Sequence, residues 1–206
     1  MKTSEKRLAA SEVAIGLIQE NGGIIRTAEA LRVGVHPRTL YGLRDSGALE
    51  QVSRGVYRLA DLAPISNPDL TTVALRIPRA VVCLISALHF HEITTQIPHS
   101  VSIALERGAA TPRIDPPPLS VHRFSKEAFS AGIGQHEIDG VMVRIYNPEK
   151  TLADCFKFRN KVGMDIVLEA LKLYRERKRF RTDRLMEYAR ICRVDNVMKP
   201  YLEVLL

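Results

Sequence analysis

The segment Thr27–Leu59 constrains this chain more than any other. It opens with Thr27, a residue type that caps helices, ahead of a short helical turn carrying Ala28, Ala30 and Leu31. The break Val33-Gly34-Val35 follows, then the run His36-Pro37-Arg38-Thr39-Leu40-Tyr41-Gly42-Leu43-Arg44, which Gly47 stops. Two short apolar segments, Leu49–Val52 and Val56–Leu59, are joined by Ser53-Arg54-Gly55. Two helices at a tight turn and a small β-ribbon read as a winged helix-turn-helix, which can place one helix in a major groove with the ribbon beside it. The pattern predicts double-stranded DNA as a ligand.

Helical spacing sorts the second helix of this motif. Leu40 and Leu43 share one face and should be buried, while Arg38, Tyr41, Gly42 and Asp45 point the other way. Pro37 suits the first helical position and leaves His36 near the cap. The helix N-terminus and Arg38 would approach DNA, with His36 and Thr39 beside them. Arg38 could contact a guanine edge or a phosphate. Gly42 costs the helix about 1 kcal/mol against alanine, and close approach of a phosphate would explain it. In the wing, Arg54 and Arg58 bracket Gly55 and Tyr57, and arginine there reaches phosphate or the minor groove. The candidate DNA-contacting residues are Thr27, His36, Arg38, Thr39, Tyr41, Gly42, Arg44, Ser53, Arg54 and Arg58. The competing reading is a winged helix whose exposed face serves protein contacts.

The 206 residues suffice for two small domains, and 46% hydrophobic content supports packed cores. The formal charge of +7 favours a polyanionic partner. Cys83, Cys155 and Cys192 are too scattered for a disulfide scaffold or a zinc site. No signal-peptide core or membrane-length apolar run stands out, so a cytoplasmic, reducing setting is expected, without a membrane partner. A first helix over Leu8–Gln19, with Val13, Leu17 and Ile18 inward, completes an N-terminal domain of residues 1–62. Asp61–Asp69 reads as a connector, although Pro68 and Asp69 could also open a helix.

Residues 63–206 read as an α+β domain. Ala80–His91 is expected to be one buried helix. Strands are expected around Val101–Leu105, over Leu119–Phe124, and either side of Asp139-Gly140, a hairpin dipeptide. Helices are expected over Thr151–Phe158, Asp165–Arg177 and Thr182–Ile191, with a short tail after them. Lys172–Arg184 holds seven basic residues against two acidic ones, either a solvated helix end or an accessory phosphate-binding surface. His89 and His91 are spaced wrongly for helical metal ligands. Glu149 and Lys150 are adjacent, so they do not form the separated carboxylate–lysine set of a metal-dependent nuclease. No nucleotide-binding loop or nucleophile motif is present. Neither catalysis, a metal nor a cofactor is expected.

With these residues in view, the chain resembles the AbiEi-type antitoxin family, also described as predicted transcriptional regulators of viral (phage) defence systems. The resemblance rests first on Leu43-Arg44-Asp45-Ser46-Gly47-Ala48-Leu49 and Arg54-Gly55-Val56-Tyr57-Arg58-Leu59. It continues through Val82-Cys83-Leu84-Ile85-Ser86-Ala87-Leu88, Ser102-Ile103-Ala104, Pro148-Glu149-Lys150-Thr151-Leu152-Ala153-Asp154 and Phe156–Lys161. It implies a repressor that binds inverted repeats upstream of its own operon; no heptad seam forces a dimer, so a monomer or weak dimer is expected. It also implies an antitoxin that opposes a nucleotidyltransferase toxin. Lys157, Arg159 and Lys161, with Lys172, Arg175, Arg179 and Arg181, would be the accessory basic surface that the resemblance implies. A stand-alone regulator or a protein-interaction module would carry the same features. Lys150, Thr151 and Asp154 also have a purely structural account: Asn147 caps the helix, Pro148 begins it, and Asp154 pairs with Lys150 one turn earlier.

Overall fold

The computed structural model describes residues 2–177 and 180–205. The chain divides into two compact units, Met1–Arg76 with Glu137–Met142, and Ile77–His136 with Val143–Leu206.

The first unit runs α1 (Lys2–Glu20), β1 (Ile24–Arg26), α2 (Thr27–Arg32), α3 (Pro37–Asp45), β2 (Leu49–Ser53), β3 (Val56–Leu59) and α4 (Pro68–Arg76). Its strands form an antiparallel sheet in the order β1-β3-β2. Ala14 and Ile18 of α1, Ala30 of α2, and Leu40 and Leu43 of α3 pack with Leu49, Tyr57 and Leu59. Hydrophobic burial holds this cluster together. Val13 was expected to face inward but is 64% exposed; the buried pair on α1 is Ala14 and Ile18, one turn apart. Strand β1, three residues long, is too short to show a period.

The first unit reaches Arg76, beyond the expected boundary at residue 62. The reason is α4, which buries Leu70 and Val73. The guanidinium of Arg26 donates to the Leu75 carbonyl at 3.1 Å, and Arg76 donates to the Arg54 carbonyl. The hairpin turn Asp139-Gly140 also belongs here, both residues having positive φ (51° and 76°), as a primed turn requires. The Asp139 carboxylate accepts from the Ser66 and Asn67 amides at 3.0 and 3.2 Å. Partial burial pushes the Asp139 pKa up, but these amides outweigh it and the net shift is downward.

The second unit is an α+β assembly. Strands β4 (Val81–Val82), β5 (Val101–Glu106), β6 (Leu119–Phe124), β7 (Ile133–Ile138) and β8 (Val141–Tyr146) stand in the order β6-β5-β4-β8-β7, the turn end of the last two grouping with the first unit. β5 and β6 are parallel, as are β4 and β8, and β4 runs antiparallel to β5. The helices are α5 (Leu84–Phe90), α6 (Lys126–Ser130), α7 (Pro148–Lys157), α8 (Arg159–Val162), α9 (Met164–Arg175), α10 (Thr182–Cys192) and α11 (Asp195–Leu205). The stretch Ala80–His91 is therefore not one helix. Val81 and Val82 pair with Ala104 and Ile103, Cys83 is extended, and the helix begins only at Leu84. A short apolar run fits either element, and pairing partners distant in sequence decide between them. The expected tail is instead α11.

Helix α7 forms as its sequence predicts, with Asn147 Oδ1 accepting from the Lys150 amide at 2.8 Å and Pro148 in the first turn. Lys150 Nζ meets Asp154 Oδ2 at 2.5 Å, both side chains fully buried. Cys192 Sγ donates to the other Asp154 oxygen at 3.2 Å. The ammonium also lies 4.2 Å from the Tyr146 ring centroid.

His91 makes this unit acid-sensitive. Its Nε2–H donates to the Tyr146 carbonyl at 2.7 Å, which fixes that tautomer for the neutral ring. Burial pushes its pKa below the ordinary 6.5, the carbonyl bond offsetting only part. His122 and His136 are pushed down by the same cause. A histidine with a depressed folded-state pKa contributes stability above its unfolded value and loses it as pH falls through the folded one. Denaturation at stepped pH should show the second unit weakening once pH drops below 6.5. His91→Gln keeps a donor for Tyr146 but cannot titrate, so its pH slope should be flatter. An identical slope in this variant would remove His91 from the account.

Candidate nucleic-acid interface

The interface is built on α3. His36 takes the cap position, its Nδ1 accepting from the Arg38 amide at 3.1 Å, and Pro37 occupies the first turn. Leu40 and Leu43 anchor the inner face, leaving Arg38, Tyr41, Gly42 and Arg44 exposed and Thr39 half-buried. Arg38 has no ion-pair partner among the described residues. Arg44 donates through Nε and Nη2 to Asp45 Oδ1 at 2.9 and 2.7 Å, and its guanidinium lies 5.3 Å from the Tyr41 ring centroid. Hydrogen bonding and charge attraction from Asp45 raise the Arg44 pKa. The one carboxylate on this face is thus tied to a cation, which leaves Arg38 as its unengaged positive charge. Gly42 meets nothing within 4 Å of where a Cβ would stand, and its φ is not positive. Nothing among the described residues explains a glycine there.

The wing departs from expectation at three residues. Thr27 is not the cap; the cap position falls on Arg26, which makes no side-chain capping bond. The Thr27 amide and hydroxyl both donate to the Gly55 carbonyl, at 2.9 and 3.3 Å, so Thr27 braces the wing turn. Ser53 Oγ is buried without a hydrogen-bond partner. Arg58, expected at the exposed wing, is 6% exposed. Its Nε donates to the Leu59 carbonyl at 3.2 Å and its Nη2 to the Leu62 carbonyl at 2.5 Å, and it pairs with Glu50 at 3.3 Å. β3 is the central strand and all four of its residues are buried, so alternation along it exposes neither face. Arg54 remains exposed at the tip. Sequence reasoning missed Arg76, which holds the Arg54 backbone from outside the motif; only its place in the last turn of α4 hints at it.

In the second unit, Lys157 and Lys161 are exposed around α8, and Arg159 donates to the Phe156 carbonyl at 3.0 Å. Lys172 and Arg175 are exposed on the last turn of α9. Arg181 pairs with Asp183 at 3.2 Å. Arg179 lies outside the described residues. Among the described residues, no three metal-binding side chains stand together, and no helix is long and apolar enough to cross a membrane.

Comparison with known proteins bears on this geometry. No curated protein matches the chain. Among solved structures, the chain is similar to the RV2827C protein from Mycobacterium tuberculosis, with a TM-score of 0.55 and 16% identity. That likeness covers 94% of this chain and 80% of the other, and at such identity it shows the fold alone. Residues 16–60, from α1 through the end of the wing, match the model of the family described as transcriptional regulator, AbiEi antitoxin. The similarity to that family of regulators thus falls on the helix-turn-helix and wing of this chain.

Proposed function

We propose that the protein is a sequence-specific DNA-binding repressor of its own operon, and that it acts as antitoxin to a nucleotidyltransferase toxin. The observation that carries the DNA half is Arg38, exposed and without an ion pair among the described residues on the first turns of a capped helix, with Arg54 exposed at the wing tip. α3 enters the major groove, and Arg38 contacts a base edge or phosphate beside its N-terminus. His36, Thr39, Tyr41, Gly42 and Arg44 line the same approach, and Thr27 braces the wing turn from behind. The exposed cations around α8 and at the end of α9 add sequence-independent attraction to phosphate. An inverted-repeat operator takes two copies, as monomers or a weak dimer. The family match supports the regulatory reading, and the antitoxin role rests on the family alone.

Binding to the DNA upstream of its own gene, measured by anisotropy against scrambled duplex at two salt concentrations, tests the DNA half. Preference of about a thousandfold is expected. Weak and equal binding to both duplexes would reduce the winged helix to a protein-docking module. Co-expression with the neighbouring toxin tests the other half, and unrelieved growth arrest would defeat it.

A further inference from the structure

The second unit holds a cleft that regulation through the winged helix does not use. Side chains two apart on a strand share a face. On β5 and β6, the face that carries Ala104 and Phe124 into the apolar core also carries Ser102, Ser120 and His122 nearer the strand starts. Ser102 stands in register with Ser120, and Ser120 Oγ lies 3.1 Å from His122 Nε2. These three residues line an open cleft of about 380 Å³. Lys161 reaches it from α8, Ile85 and Ile97 give it apolar walls, and no carboxylate lines it.

Two of the polar groups here, Ser102 and Lys161, have no partner among the described residues. Ser102 is 7% exposed, yet its hydroxyl makes no hydrogen bond among the described residues. Lys161 has no ion pair among them either. Ser102 Oγ is not among the fully buried unpartnered atoms, so it opens onto the cleft and is free to meet a ligand there. A cation, an imidazole and two hydroxyls suit the three terminal oxygens of a phosphate ester. The volume lies in the range of small-molecule sites, about 300–1,000 Å³.

We propose that this cleft binds a small phosphorylated organic molecule of nucleoside monophosphate size. Its phosphate is held by Lys161, His122 and the Ser102 and Ser120 hydroxyls, and its organic body rests against Ile85 and Ile97. The site takes Lys161 out of the accessory DNA surface and gives the second unit a ligand of its own, whether or not the winged helix proves to be a repressor.

Calorimetric titration of the full chain with AMP, GMP and glucose 6-phosphate tests this, with adenosine and inorganic phosphate as half-ligands. At least one phosphate ester should bind, and each half-ligand should bind about tenfold more weakly or worse. Lys161→Ala and Ser102→Ala should each weaken that ester about tenfold while leaving the melting temperature unchanged. The proposal fails if no ester binds at millimolar concentration, or if binding survives both substitutions. It fails equally if Lys161→Ala weakens only DNA binding, which would return Lys161 to the phosphate-contacting surface.

Discussion

Replacing Asp154 with alanine is expected to lower the stability of the second unit by roughly 3–5 kcal/mol, because it leaves the Lys150 ammonium buried without its counter-charge. Both side chains are fully buried, and 2.5 Å separates Nζ from Oδ2. Burial pushes the Asp154 carboxyl pKa up, and the Lys150 charge and hydrogen bond pull it only part of the way back. The pair therefore costs desolvation that its own attraction does not fully offset. Removing both charges at once follows a different course: Lys150→Met with Asp154→Leu should be close to neutral, or stabilising by about 1–4 kcal/mol. Urea denaturation of the wild type, the two single variants and the double variant measures the coupling directly. A single variant costing less than about 1 kcal/mol, the scale of an exposed pair, would mean that water reaches the site.

The outcome bears on how the Pro148–Asp154 segment is read. It is one of the stretches on which the family resemblance rests, and Lys150 through Asp154 are all buried in the second unit. Asn147 caps the helix, Lys150 lies over the Tyr146 and Phe124 rings, and Asp154 receives Cys192. None of these buried groups can reach DNA or a partner protein in this conformation. The segment sets the geometry of a core, and any contact with a partner must come from other residues.

What was legible in the sequence follows from the range of the forces involved. Leu40 and Leu43 mark the buried face of α3, and Gly34, Gly47, Asn147-Pro148 and Asp139-Gly140 each mark a cap, a stop or a turn; all of these act within a few residues. Val81 and Val82 become a strand because Ala104, Ile103 and Ile145 lie beside them, a pairing that periodicity cannot reveal. Arg58 reads as an outward wing residue until the Leu62 carbonyl and Glu50 close over it. The cleft was invisible for the same reason: Ser102 and Ser120 meet only through the β5–β6 register. Within the candidate DNA interface, α3 was read correctly from local spacing, whereas the wing depended on contacts from α2 and α4.

Arg38→Ala is expected to weaken operator binding by about 1–3 kcal/mol, roughly five- to two-hundredfold, while leaving the fold intact, since the side chain is exposed and has no ion pair to lose among the described residues. The way affinity is lost tells which group Arg38 touches. A base contact relaxes preference at one operator position; a phosphate contact weakens all sequences alike and lowers the salt slope by about one. Gly42→Ala then separates DNA approach from protein packing. A Cβ at residue 42 meets nothing within 4 Å, so the free protein should gain about 0.5–1 kcal/mol of helix stability. If a phosphate closes on that face of α3, the same methyl group should weaken DNA binding. Stability and affinity then move in opposite directions in one variant, which neither misfolding nor a general change of charge produces. A Gly42→Ala protein that is more stable and binds its operator unchanged would place the DNA on another face and leave Arg38 without its proposed role.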